Sequence, residues 1–214
     1  MRASTLRARR LVLTFVAVAV VVGCDTFDLF EQFTDATLRL TPTANPIQQG
    51  QTVPLNATGG DGDYRYTIIA NPALLDHNEG YGSVSDGVYT ASDSIGVVVI
   101  RVTDGGNRTR DLPMTILPAT PADFTVSGAT GDNQTIILTW AHDKPGAVGF
   151  RIERSSDGVN FTTIAGPSIL GPDERTYLDE GLQPNREYEY RMYTYRSEQY
   201  ESLPTAAILG IPNQ

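Results

Sequence analysis

The sequence predicts an all-β chain, two β-sandwiches in tandem behind a signal peptide. Three observations carry that expectation. Apolar residues recur at every second position in short runs, clusters of Gly, Asp, Asn and Pro separate the runs, and no stretch of the mature chain sustains a 3.6-residue period. Alternation puts every other side chain on one face of a strand, so each run has one face to bury, and a second packed sheet buries it.

The amino terminus comes first, because a segment that is removed or modified does not belong to the fold. Arg2, Arg7, Arg9 and Arg10 form a basic head with no acid among them, and the apolar run of residues 11–22 follows. As a helix, residues 11–23 would measure about 20 Å, short of a hydrocarbon core of about 30 Å, so the pattern reads as an export signal rather than a permanent span. Arg9-Arg10 also raises a twin-arginine signal, but Ala8 and Leu11 flank it poorly and general secretion is favoured.

Cys24 closes this run and is the chain's single cysteine. Val21-Val22-Gly23-Cys24 resembles the lipobox of bacterial lipoproteins. The resemblance implies a signal peptide of residues 1–23, a diacylglyceryl group on the Cys24 thiol and an acylated new amino terminus. It also implies lipid attachment to a membrane of the bacterial cell envelope, on a periplasmic or cell-surface face. One acyl chain holds a protein only marginally, whereas two or three anchor it stably. Asp25 resembles the inner-membrane retention signal of enteric-type lipoproteins, a rule that other bacterial groups do not follow. With one cysteine the chain has no internal disulfide, so its domains stand on hydrophobic burial.

Charge narrows the partners. The net charge of −9 falls to −13 once the four arginines of the signal are removed. So acidic a chain is a poor candidate for binding nucleic acid or for clinging electrostatically to anionic lipid.

Residues 24–35 read as a lipidated tether. Phe27, Phe30 and Phe33 recur at helical spacing after Thr26, a possible cap, so the segment reads either as a short helix against lipid or the first domain, or as a mobile leash. Fully extended, residues 25–35 reach at most roughly 35–40 Å, which keeps the first domain near the bilayer.

Residues 36–118 predict the first sandwich, with six or seven strands. Leu38 and Leu40 alternate with polar neighbours, as do Val53, Leu55 and Ala57, then Tyr64, Tyr66 and Ile68, then Val97 and Val99, with Val98, Ile100 and Val102 a less regular set. Turn clusters fall at Asn45-Pro46, residues 59–63, Asp86-Gly87 and residues 104–107. The stretches GGDGDYRYTI, GVYTA and GVVVIRVTDGG resemble the immunoglobulin-like repeats of bacterial envelope proteins, which implies a fold and little about function.

A linker of residues 119–121, bounded by Pro118 and Pro121, leads to a second sandwich over residues 122–212. Ile136, Leu138 and Trp140 alternate on one run, and Phe150 and Ile152 on the next. Leu182-Gln-Pro-Asn-Arg-Glu-Tyr188 then supplies a Leu-x-Pro-x-x-x-Tyr corner. The whole segment resembles a fibronectin type III domain. That resemblance implies a buried Trp140 and a structural Tyr188, whose ring fills the core while its hydroxyl returns to nearby backbone.

Side chains that usually carry chemistry are scarce. His77 and His142 have no partner His or Cys at ligand spacing and read as solvated loop residues. No nucleophile elbow, phosphate loop or dinucleotide fingerprint occurs. Asp61-Gly-Asp63 invites a calcium loop, but Arg65 stands where the next ligand belongs, so a plain turn is favoured. No enzyme activity, cofactor or metal is expected.

The candidate site is a face. With Tyr188, Tyr190, Met192 and Thr194 turned inward, period two sends Glu189, Arg191, Tyr193 and Tyr195 outward, beside Arg151 and Glu153 of a neighbouring strand. Tyr200, in the following loop, falls at one end of the same sheet. Tyr and Arg are enriched at protein interfaces, so Arg151, Tyr193, Tyr195 and Tyr200 form the candidate interface for a protein partner in the envelope. The same residue types also pair across an ordinary solvent face. The alternative is a carbohydrate- or matrix-binding surface, which an exposed Trp would support.

Overall fold

The computed structural model describes residues 37–129 and 131–212. The run read as an export signal, Cys24 and the segment read as a tether lie outside the described residues. What is described is all-β, two sandwiches in tandem.

In the first sandwich one sheet runs β1 (Arg39–Pro42), β3 (Thr52–Thr58), β7 (Val88–Thr90) and β6 (Ser83–Ser85). The facing sheet runs β2 (Ile47–Gln48), β9 (Thr109–Leu117), β8 (Ile95–Thr103) and β4 (Arg65–Ile69), with β5 (Leu75–His77) also on β8. Two neighbouring pairings, β2 on β9 parallel and β8 on β9 antiparallel, make that sheet mixed.

Alternation explains the core. Leu40, Val53, Leu55 and Tyr89 point from one sheet toward Val98, Ile100, Val102, Met114 and Ile116 of the other, all buried. In the Val-rich run it is the less regular set, Val98, Ile100 and Val102, that faces the other sheet and is buried, while Val97 and Val99 are half-buried on the opposite face. Burying one such side chain contributes about 1.5–3 kcal/mol relative to leaving it exposed. Tyr89 is wholly buried, and its hydroxyl donates to the Tyr81 carbonyl at 2.9 Å, so its polar tip is satisfied. Gly96 sits at φ +133°, where a Cβ would lie 2.6 Å from the Leu74 carbonyl oxygen; only glycine lets β5 close onto β8 here.

The second sandwich sets a three-stranded sheet, β10 (Ala122–Gly128), β11 (Ile136–Ala141) and β14 (Thr176–Asp179), against a five-stranded one. The latter runs β13 (Thr162–Ala165), β12 (Gly149–Ser155), β15 (Tyr188–Ser197) and β16 (Tyr200–Glu201), with β17 (Ile208–Gly210) also on β15. Ile136, Leu138, Trp140, Phe150, Ile152, Tyr190 and Met192 fill the core, as alternation predicts. Trp140 meets Phe150 edge-on at 5.4 Å between ring centroids. Tyr188 is buried, and its hydroxyl accepts from the Gln183 amide at 3.1 Å, which closes the expected corner.

One feature of this core is not written in the hydrophobic pattern. Asp179 is 5% exposed and accepts from the Tyr190 hydroxyl and from Arg154 Nη1, each at 2.8 Å. A buried carboxylate is tolerated only when its oxygens are paired in this way.

Candidate functional site

The outer face of the five-stranded sheet is built by register. β12 and β15 pair so that Arg151 stands opposite Tyr193 and Glu153 opposite Arg191, while Tyr195 stands opposite both Gly149 and Glu201. Along β15 the inward residues Tyr188, Tyr190, Met192 and Thr194 are buried, and Glu189, Arg191, Tyr193 and Tyr195 take the other face.

Cross-strand proximity turns this face into a ladder of cations and rings. The Arg191 guanidinium lies 4.1 Å from the centroid of Phe161, and that of Arg151 lies 3.9 Å from the centroid of Tyr193. Carboxylates stitch the rungs together. Arg151 donates to Glu201 through Nε at 2.7 Å and Nη2 at 2.6 Å, a two-point grip. Arg151 also pairs with Glu153, which accepts in addition from Arg191 Nε at 2.6 Å and from the Tyr193 hydroxyl at 3.2 Å. Two arginines and two glutamates leave the ladder neutral.

These contacts fix protonation. Burial pushes the Glu153 carboxyl up, but hydrogen bonds and charge from Arg191 and Arg151 outweigh it and hold the group below its ordinary value. Hydrogen bonding to Glu201 leads the causes that push Arg151 further up. Burial, seconded by the charge of Glu153, raises Tyr193. Glu153 is thus held ionised as a counter-ion, a poor arrangement for donating or accepting protons.

Of the sequence-predicted interface residues Arg151, Tyr193 and Tyr195 share this face, whereas Tyr200 is carried on β16 next to Glu201, and the four are not equally open. Tyr193 and Tyr200 are each 8% exposed, Tyr193 beneath the Arg151 guanidinium, while Arg151, Arg191 and Tyr195 are half-buried. The solvent-facing part of this surface therefore includes Arg151, Arg191 and Tyr195 but not the Tyr193 ring. Sequence reasoning missed Phe161 and Glu201 as members. Phe161 follows the Asp157–Asn160 turn directly, so an aromatic at the start of the next strand was the available signal.

Elsewhere the structure corrects two expectations. His77 lies within β5, and its Nε2 is buried 3.5 Å from Glu79 without a hydrogen bond; His142 stacks edge-on to Phe150 at 5.4 Å with Nε2 buried and unpartnered. Neither side chain is simply solvated: His77 sits on a strand with Nε2 buried, and His142, in the loop after β11, packs against Phe150. Burial first, then the charge of Arg175, lowers the His142 pKa and favours neutral imidazole. Beside His142 a recess of about 440 Å³ is lined by Trp140, Asp143 and Arg175. The Arg175 guanidinium is already spent there on the carbonyls of Pro172, Glu174 and His142 at 2.7–3.0 Å.

At the tip of the first sandwich Arg108 bridges Asp61 at 2.5 Å and Asp104 at 2.8 Å, so one of the two carboxylates of the Asp61-Gly-Asp63 calcium reading is already paired with a guanidinium. Among the described residues no group of three or more His, Cys, Asp or Glu is placed to hold a metal ion. Trp140, whose exposure would have favoured a carbohydrate platform, is 5% exposed.

No protein family and no curated protein matches the chain. Solved structures do. A two-domain fibronectin type III segment of chicken tenascin is 14% identical over 81% of this chain and 96% of its own, with a TM-score of 0.48. The FN1–FN3 domains of chicken CNTN1 are 14% identical over 81% of this chain and 68% of theirs, with a TM-score of 0.40. A structure described as that of a myokine is 19% identical over 45% of this chain and 99% of its own, with a TM-score of 0.37.

Proposed function

We propose that this chain is a non-catalytic, lipid-anchored protein of the bacterial cell envelope that acts as an interaction or spacer module in an envelope assembly. The ladder face of the second sandwich meets a protein partner. The observation that supports this reading is the ordering of Arg151, Arg191, Phe161 and Tyr193 into one stacked, charge-paired surface before any partner arrives. Long side chains that are already immobile lose little entropy on binding, and Arg and Tyr are the residues that dominate interface energetics. A neutral ladder also avoids the cost of burying an unpaired charge. Attachment is through Cys24, which the lipobox-like run Val21-Val22-Gly23-Cys24 supports.

Two measurements test the two halves. Metabolic labelling with a fatty acid probe should mark the wild type and not Cys24→Ser; equal labelling of both defeats the anchor. For the face, the tagged full chain is enriched from gently solubilised envelopes beside Tyr195→Ala, and companions are identified by mass spectrometry. A companion retained by the wild type and lost from the variant supports the face, whereas identical companions for both contradict it.

A further inference from the structure

The segment between the sandwiches is built as a clamp. Gln49, 5% exposed, uses every polar atom of its amide: Nε2 donates to the Asp93 carbonyl at 2.6 Å and to the Pro145 carbonyl at 2.9 Å, and Oε1 accepts from the Ala119 amide at 2.9 Å. One side chain thus ties the first sandwich to the linker and to the second. Gln48, 8% exposed, donates to the Pro118 carbonyl at 3.1 Å and to the Thr120 hydroxyl at 2.6 Å, and that hydroxyl donates on to the Leu203 carbonyl at 3.1 Å. A flexible linker has no use for a buried glutamine, Gln49, whose amide is satisfied only when both neighbours are in place, nor for a second, Gln48, that ties the linker down.

Charge and packing close the same junction. Lys144 pairs with Asp93 at 3.0 Å. Arg196 grips Asp76 through Nε to the carboxylate at 2.6 Å and Nη2 to the carbonyl at 2.8 Å, and also donates to the Gly146 carbonyl at 3.2 Å. Ile95 is wholly buried yet belongs to neither sandwich core. It lies against Gly146 of the second sandwich, where a Cβ would come 2.8 Å from Ile95 Cδ1 and 2.7 Å from His77 Cδ2, and Gly146 holds φ +93°. Only a residue without a side chain lets the two surfaces approach so closely.

We infer that the two sandwiches are locked into one rigid body by this junction and that β15 couples the lock to the ladder face. Arg191, Tyr193 and Tyr195 form the face, and Arg196, the next residue of the same strand, is the latch to Asp76. The coupling does not depend on what the face binds.

The test is backbone ¹⁵N relaxation on the full chain in detergent, comparing amides of β8 with amides of β15. The expected result is one rotational correlation time shared by both sandwiches, and two separate values in Gln49→Ala/Arg196→Ala. Unequal correlation times in the wild type overturn the inference without recourse to any variant. Should the double variant fold poorly, amide exchange at Ala119 in Lys144→Ala, a half-exposed site, serves in its place. Faster exchange there than in the wild type upholds the lock, and an unprotected Ala119 in the wild type defeats it.

Discussion

Arg151 lies over the ring of Tyr193, its guanidinium carbon 3.9 Å from the ring centroid, while two of its nitrogens hold Glu201. Stacking fixes the plane of the guanidinium and the carboxylate fixes its rotation, so the side chain is held in both senses. Lysine supplies neither the planar fork nor the stacked surface. Arg151→Lys is therefore expected to cost about 1 kcal/mol in urea unfolding. In a double-mutant cycle with Tyr193→Leu the two losses should be non-additive.

Glu153 gives the ladder an acid dependence. Its carboxyl is depressed in the folded state, because the guanidinium bonds outweigh burial. A depressed folded pKa means stability that is complete above the unfolded value and is lost as pH falls through the folded one. The urea midpoint of the wild type should therefore fall from neutral pH into the acid range more steeply than that of Glu153→Gln, and the gap between the two should narrow as it does. Parallel curves would contradict the role given to Glu153.

Tyr89 behaves in the opposite sense. Burial pushes its phenol up to about 12, so the neutral form is favoured by folding, and the contribution is present below the ordinary phenol pKa and lost as pH rises through the folded one. Phenolate absorbance should show Tyr89 silent until alkaline unfolding, and Tyr89→Phe should shrink that late increment, which Tyr190, buried and raised further, shares.

Asp179 is the buried charge on which the second core depends. Removing it strands the Arg154 guanidinium and the Tyr190 hydroxyl, so Asp179→Ala is expected to cost about 3–5 kcal/mol. Double replacement with Arg154→Met should recover part of that loss, as denaturant unfolding would show.

The fold was legible where a side chain's face is decided by its own strand. Trp140, Phe150, Ile152 and the alternating residues of β15 were placed correctly by period two, and the Tyr188 corner by its spacing from Leu182. What was not legible depends on register between distant strands. Glu201 joins Arg151 across fifty residues, and Gln49 reaches Pro145 across ninety-six, so neither local pattern nor composition could announce them. His77 and His142 were misread for the same reason, since turn-like neighbours in sequence say nothing of Gly146 or Phe150 in space.

The central claim, that the ladder face meets a protein partner, is tested most directly by placing a photo-crosslinking residue at position 195 and, as a control, at Leu178. Leu178 is 50% exposed on the opposite, three-stranded sheet. With the full chain in its native envelope, position 195 should yield one dominant protein adduct that position 178 does not. Adducts of equal pattern and yield from both positions would mean that the ladder stabilises a solvent face and that the partner, if the chain has one, meets it elsewhere.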